Sequence, residues 1–162
     1  MEKKIYSLRT NVGYFYNRPI GYRREFHQHY DEIFIPPDLN LRDFEINYTL
    51  SRTREGLLFQ AKLMANIETE CARCLDSFDM PVVSEFEELF AFPERFQDEV
   101  NEEVVPEDGY IDLGVLFRDY LLIDLPMNSI CKEECLGVCI ECGQNLNEKD
   151  CGHHENRIKF DD

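Results

Sequence analysis

The residues with the clearest chemistry in this chain are its seven cysteines, which fall into closely spaced sets. Cys71 and Cys74 form one Cys-x-x-Cys pair, and Cys139 and Cys142 form a second that is followed by Gly143. Thiolates spaced in this way are typical ligands of tetrahedral zinc. A glycine after the pair can take the positive φ that bends the backbone around a metal. The other candidate ligands are Cys131, Cys135, Cys151, His153 and His154.

Seven thiols and one histidine make two complete sets of four, the number that a structural zinc site requires. In one partition the sets are Cys71, Cys74, Cys131 and Cys135, and Cys139, Cys142, Cys151 and His153. In the other, the two Cys-x-x-Cys pairs form a zinc ribbon, which leaves Cys131, Cys135, Cys151 and a histidine. We favour the first partition because its second set closes within a short loop, which costs less chain entropy. Either His153 or His154 could be the eighth ligand.

Closed four-ligand sites leave no position for a water molecule, so we expect two structural zinc ions. A histidine ligand and the knuckle glycine favour zinc over an iron–sulfur cluster. Glu68 and Glu70 beside Cys71 disfavour a reactive thiolate and therefore a redox role. No Ser–His–Asp set, phosphate loop or spaced carboxylate pair is evident, so we do not expect an enzyme or a small-molecule substrate.

A long β-hairpin is predicted to present the first cysteine pair at its tip. Residues 57–71 alternate with a period of two, which is typical of a strand with one buried face. The apolar parity comprises Leu57, Phe59, Ala61, Leu63, Ala65 and Ile67. The returning strand extends to about Phe92, and an earlier half-buried strand covers residues 44–50.

One helix is predicted after residue 110, with Asp112 as its N-cap and Pro126 ending it. Its apolar stripe comprises Leu113, Leu116, Phe117, Tyr120 and Leu121. The expected fold class is α+β, with a mainly antiparallel sheet that could curl towards a barrel and one packed helix. The expected domains are residues 1–128 and a cysteine-rich tail, 129–162, packed on them. Residues 1–16 are predicted to form one or two strands, while 17–40 show no clean period and end in a loop at 35–38.

The net charge of −16 is unevenly distributed. Residues 85–108 hold ten acidic side chains, which indicates a solvated loop or a docking surface for a basic partner. Residues 1–30 instead hold six basic side chains against two acidic ones. Any contact with RNA phosphates is therefore expected there, through Arg18, Arg23 and Arg24 among aromatic residues that could stack on bases. Alternatively, these aromatic side chains belong to the core.

The 162 residues are enough for one domain with a sizeable core. No apolar run is long enough to cross a bilayer, and the N-terminus lacks the apolar stretch of a signal peptide. We therefore expect a cytoplasmic protein without a membrane partner, where cysteines bind metal more often than they form disulfides.

The ordered motifs resemble the YceD family of large ribosomal RNA subunit accumulation proteins. They are the Cys-x-Arg-Cys pair after an alternating strand, the Ile111-Asp112-Leu113 helix start, the Leu125-Pro126 stop, and the segment from Cys135 through Asn147 to Cys151. The resemblance covers about residues 40–154. The chain departs from the family by having His153 where members usually have a cysteine.

The resemblance implies a cytoplasmic bacterial factor required for accumulation or processing of 23S ribosomal RNA. The implied partners are ribosomal RNA or a pre-ribosomal particle, and a ribosomal or RNA-processing protein. Some family members lack the segment matching Cys139–His153 yet keep the first set, which supports the first partition. Two other functions stay open: an RNA-processing nuclease or its regulator, and a redox or zinc-buffering protein.

Overall fold

The computed structural model describes residues 8–93 and 103–153. The chain divides into two compact units. The first comprises Met1–Ile67 and Pro81–Leu125, and the second comprises Glu68–Met80 and Pro126–Asp162. The tip of the long hairpin thus belongs to the same unit as the cysteine-rich segment. The expected boundary between domains at residue 128 stays a prediction.

Seven strands and two helical segments are found in the described part of the chain. In order, they are β1 Arg9–Asn11, a 3-10 helix Gly13–Asn17, β2 Arg23–Ile35, β3 Leu39–Arg52, β4 Gly56–Glu70, β5 Ser77–Ala91, β6 Glu103–Val104, β7 Tyr110–Asp112 and α1 Leu113–Asp124. Strands β2 to β6 form one sheet in sequence order, and β1 pairs with β7 in a second, two-stranded sheet.

The five-stranded sheet is open, so the expectation that it could curl towards a barrel is wrong. Within the described residues, β2 pairs with β3 alone, and β6 lies at the other edge. The β6 pairing is parallel, with Phe90 opposite Glu103, so the sheet is mixed. The sheet does not need to close on itself to bury its apolar face, because the buried side of α1 covers aromatic side chains of that face.

The predicted alternation of β4 is confirmed by the burial of its side chains. Residues 57, 59, 61, 63, 65 and 67 are all buried, while Gln60 and Lys62 are exposed. Phe44, Ile46, Tyr48 and Leu50 of β3 are buried as predicted. Since alternate residues point to the same face of a strand, β3 and β4 present one apolar face to the core.

The predicted helix and its cap are also confirmed. The Asp112 carboxylate accepts a hydrogen bond of 2.9 Å from the Gly114 N–H, which satisfies one free donor of the first turn. Leu113, Phe117 and Leu121 are buried, and the helix ends at Asp124, two residues before Pro126. No helix in the part of the chain that the structure describes combines the length and apolarity needed to span a membrane.

Strand β2 was missed from the sequence because its side chains do not keep one parity. Phe26, Gln28 and Tyr30 are half-buried, but the buried positions then move to Ile33 and Ile35. The parity of β3 shifts in the same way beside Asp43, which has a positive φ of 48°. The two parity shifts face each other, so β2 and β3 stay paired in register although β2 has no single period.

Candidate metal centre

The second unit brings four cysteine thiols together at the tip of the β4–β5 hairpin. The Sγ atoms of Cys71, Cys74, Cys131 and Cys135 all lie within 4.8 Å of one another. Cys71 Sγ is 3.8 Å from Cys135 Sγ, and the Cys74–Cys131 sulfur distance is also 3.8 Å. We refer to these four residues as site 1.

A second group of four lies further along the same unit. It consists of Cys139, Cys142, Cys151 and His153, whose ligand atoms also lie within 4.8 Å of one another. The His153 Nδ1 atom is 3.9 Å from Cys139 Sγ. We refer to this group as site 2. His154, the other candidate for the eighth ligand, lies outside the described residues. The structure thus groups the side chains as in the first partition.

The sulfur–sulfur distances have the size that a shared metal ion requires. Zinc binds thiolates at about 2.3 Å, so two sulfurs of a regular tetrahedral site should lie about 3.8 Å apart. A disulfide would instead bring them to about 2.05 Å, and all seven cysteines are free thiols. The two measured sulfur distances of site 1 therefore match those of a tetrahedral zinc site, and the ligand atoms of site 2 lie close enough together to hold a metal ion.

The two Cys-x-x-Cys pairs have the same backbone hydrogen bonds. In site 1 the Leu75 N–H donates to the Cys71 carbonyl at 2.9 Å, and in site 2 the Gly143 N–H donates to the Cys139 carbonyl at 2.8 Å. The Cys71 N–H also donates to the Asp76 carbonyl, and the Cys139 N–H donates to the Gln144 carbonyl, both at 2.9 Å. The two segments are therefore geometrically equivalent knuckles that could each hold a metal ion.

Site 1 has leucine where this geometry favours glycine. Leu75 has a φ of 64° and Gly143 a φ of 72°. The left-handed region costs an ordinary side chain about 1–2 kcal/mol. The Leu75 side chain is 63% exposed, so burial of its side chain offsets little of this cost.

Replacing Leu75 by glycine should stabilise the metal-loaded protein. Relief of the backbone strain exceeds the extra entropy that glycine brings to the unfolded chain, so we expect a gain of roughly 0.5–1 kcal/mol. Urea-induced metal release, followed with a zinc indicator, measures this change. Leu75→Ala is the matched control, because alanine shortens the side chain but keeps the Cβ atom and the strain. A Leu75→Gly variant no more stable than Leu75→Ala would contradict the explanation.

Backbone N–H groups favour the thiolate form of one cysteine in each site. Burial raises the pKa of the Cys71 thiol, but hydrogen bonds from the backbone at Cys74, Cys131 and Arg73 outweigh burial and lower its pKa to about 6. Hydrogen bonds from the backbone at Cys142 and Glu141 lower the pKa of the Cys139 thiol to about 7. Since metals bind thiolates, both knuckles are prepared for a cation.

The acidic neighbours of Cys71 do not dominate its pKa, contrary to the sequence-based argument from Glu68 and Glu70. Hydrogen bonds from backbone N–H groups decide the direction of the shift. Cys71 is nevertheless fully buried. A buried thiolate among three other thiols suits metal binding better than reaction with an external disulfide.

Comparison with known proteins identifies the family. The sequence model described as "Large ribosomal RNA subunit accumulation protein YceD" matches residues 59–162, a segment that includes both sites. The chain belongs to the YceD family. No solved structure matches it significantly.

Several curated proteins are similar to this YceD-family chain. An uncharacterised protein of Mycobacterium bovis is 33% identical over 116 residues, which cover 68% of this chain and 55% of that protein. An uncharacterised protein of Mycobacterium leprae is 35% identical over 109 residues, 64% of this chain and 49% of the relative. The chain therefore spans about half the length of these relatives. The chloroplastic large ribosomal RNA subunit accumulation protein YCED homolog 1 of Arabidopsis thaliana is 38% identical over 52 residues, 31% of this chain and 16% of the homolog.

The YceD-family chain also has polar side chains that support site 1, which the sequence reasoning missed. Arg73 Nη1 donates to the carbonyls of Glu133 and Cys135, at 3.0 and 3.3 Å. The Asn147 side-chain amide donates to Cys135 Sγ at 3.4 Å. A signal was available for Arg73, which is the one basic residue in the hairpin tip, residues 68–80. Asn147 acts on a cysteine 12 residues away, so spacing alone could not reveal its role.

The three arginines predicted as RNA contacts are exposed residues of the first unit. The Arg18 guanidinium lies 5.1 Å from the centre of the Tyr22 ring, and that of Arg24 lies 5.2 Å from the centre of Phe26. Arg23 forms an ion pair with Glu25. The two aromatic rings are half-buried. Lys3 and Lys4, which also contribute to the basic N-terminal stretch, lie outside the described residues.

Proposed function

We propose that this protein is a non-enzymatic, zinc-stabilised factor in biogenesis of the large ribosomal subunit, which supports accumulation or processing of 23S ribosomal RNA in the cytoplasm. The observation that carries this proposal is the family match over residues 59–162. The matched segment includes all eight candidate ligands. We further propose that the protein acts together with a ribosomal or RNA-processing protein on a pre-ribosomal particle.

The two zinc ions have a structural role in this proposal. Each site offers four protein ligands, which is the arrangement of structural zinc rather than of catalytic zinc with an open position. The ligands of site 1 come from two segments of the second unit more than 50 residues apart in the chain. One ion in this site would therefore cross-link the hairpin tip to the cysteine-rich segment.

The RNA contact is proposed to involve Arg18, Arg23 and Arg24. With a net charge of −16, the chain as a whole repels phosphate, so contact requires a local excess of basic residues. Arg18 and Arg24 lie over aromatic rings that hold the guanidinium groups at the surface. Guanidinium planes and half-exposed rings are surfaces on which unpaired RNA bases can stack.

Changing all three arginines to glutamate should abolish co-purification of precursor ribosomal RNA at native salt. Each reversal removes a cation and adds a charge that repels phosphate, so we expect at least a tenfold loss of bound RNA. Affinity purification of the tagged full chain, with RNA quantified in the eluate, makes the measurement. The zinc content should stay unchanged, because these residues belong to the first unit.

A charge-matched control is the reversal of Arg42, Arg54 and Lys62, three exposed residues of the first unit that lie outside residues 1–30. This triple variant changes the net charge by the same amount, so its RNA recovery isolates the effect of position. Equal loss in both triple variants would contradict a localised contact. Absence of ribosomal RNA and of large-subunit proteins from the unaltered protein's eluate would contradict the proposed function itself.

A further inference from the structure

The loop that follows the second knuckle contacts a ligand of site 1. Asn147 contacts Cys135 and the residue that follows it. Its side-chain N–H donates to Cys135 Sγ at 3.4 Å, and its side-chain carbonyl accepts from the Leu136 N–H at 3.0 Å. Donors to a metal-bound thiolate fix its position and stabilise its charge. Asn147 thus acts on site 1 although it lies between the ligands of site 2 in the sequence.

Asn145 ties the same loop to the first knuckle. Its side-chain carbonyl accepts from both the backbone and side-chain N–H groups of Asn147, each at 2.9 Å. Its side-chain N–H donates to the Asp76 carboxylate at 2.6 Å. The Asp76 backbone carbonyl in turn accepts from the Cys71 N–H at 2.9 Å. The two asparagines therefore join a ligand from each segment of site 1.

Site 2 holds these asparagines in place. The Cys139 N–H donates to the Gln144 carbonyl at 2.9 Å, and Val138 forms an antiparallel bridge with Asn145. The Leu146 N–H donates to the Gly137 carbonyl at 2.9 Å. Asn145 and Asn147 follow Cys142 by three and five residues and precede Cys151. The loop between Cys142 and Cys151 contains both asparagines. A metal ion bound to Cys139, Cys142 and Cys151 would join the two ends of this loop and restrict the motion of the loop.

The second unit has little apolar packing to order this loop without metal. The buried cluster around site 1 consists of Cys71, Cys74 and Cys135, with Phe78, Ile130 and Cys131 against it. Beyond residue 125, the structure describes isolated turns and one single-residue bridge rather than helices or strands. Metal binding therefore supplies order that a larger core would supply in other domains.

We infer that the two sites bind metal cooperatively, with Asn145 and Asn147 as the positioning residues through which occupancy of site 2 raises the affinity of site 1. The coupling is reciprocal, so filling site 1 raises the affinity of site 2 by the same factor. The inference rests on the proposal that both sites bind zinc. The mechanism requires no contact between the two metal ions, since the asparagine pair transmits the effect.

The test measures the occupancy of each site separately in the full-length protein. Zinc is removed in steps with a competing chelator, free thiols are alkylated, and the modified cysteines are quantified by mass spectrometry. Alkylation of Cys71 and Cys74 reports on site 1, and alkylation of Cys151 reports on site 2. Four proteins form a double-mutant cycle: the unaltered chain, Cys142→Ser, Asn147→Ala and the double variant.

Cys142→Ser should lower the zinc affinity of site 1 roughly 10-fold or more, although no ligand of site 1 is changed. Asn147→Ala should produce a similar loss. Adding Cys142→Ser to Asn147→Ala should then lower the affinity of site 1 less than about threefold further, because the connection is already broken. Asn128→Ala, an exposed asparagine of the same unit, is the control and should leave both sites unchanged.

Asn147→Asp keeps the shape of the side chain but replaces the amide donor by a carboxylate oxygen that repels the thiolate. It should weaken site 1 at least as much as Asn147→Ala, which distinguishes the hydrogen bond from a packing defect. Unchanged site 1 affinity in Cys142→Ser, or full additivity in the cycle, overturns the coupling while leaving two zinc sites intact. Failure of the unaltered protein to bind zinc overturns the proposed metal role instead.

Discussion

The Cys74→Ser variant should retain one zinc ion per chain, whereas the unaltered protein should bind two. Cys74 is one of four thiols in site 1, and a serine hydroxyl does not replace a thiolate ligand. Structural zinc contributes about 10–16 kcal/mol of apparent binding free energy at neutral pH. Loss of this ion should therefore release the hairpin tip from the cysteine-rich segment. Native mass spectrometry gives the zinc count, and alkylation identifies Cys71 as newly accessible.

Cys142→Ser is the matched control, because it makes the same chemical change in site 2. It should also leave one zinc ion at micromolar protein concentration, but Cys151 should then become accessible before Cys71. A single zinc ion in the unaltered protein, or two in Cys74→Ser, would contradict the presence of two four-ligand sites.

Phe117→Ala should lower the free energy of unfolding of the first unit by about 3–5 kcal/mol. The Phe117 side chain is fully buried on α1, and its ring centre lies 6.1 Å from that of Phe44 and 6.2 Å from that of Phe59. Truncation leaves a cavity among rigid rings that cannot collapse into it. Because domains are stable by only about 5–15 kcal/mol, a large fraction of the chains should unfold on mild heating. Urea denaturation followed by circular dichroism measures the loss.

Val115→Ala on the same helix is the control. Val115 is 61% exposed, so its truncation should change the free energy of unfolding by less than about 0.5 kcal/mol. A loss below 1 kcal/mol in Phe117→Ala would show that the sheet does not depend on α1 for its core. The two strongest predictions thus test separate forces, namely apolar burial in the first unit and the proposed metal coordination in the second.

Properties that depend on neighbouring residues were predictable from the sequence. The alternation of β4 requires a period of two over residues 57–67, and the Asp112 cap requires a carboxylate beside the first turn of the helix. The eight candidate ligands were identified because cysteine and histidine have few other roles at such spacing. The equivalence of the two knuckles was less apparent, since Leu75 occupies the position that Gly143 occupies in the other one.

Pairings between distant residues were decided by the tertiary structure. Cys71 and Cys135 are 64 positions apart, and the sequence left two partitions of the ligands open. The open sheet edge, the irregular strand β2 and the hydrogen bond from Asn147 to Cys135 have the same origin. Each depends on which distant segments of the chain pair with one another. Alternative pairings close loops at a similar entropic cost, so the sequence alone does not distinguish them. The candidate ligands were therefore readable from the chain, whereas their grouping in space followed from the packing that brings the two cysteine-bearing segments together.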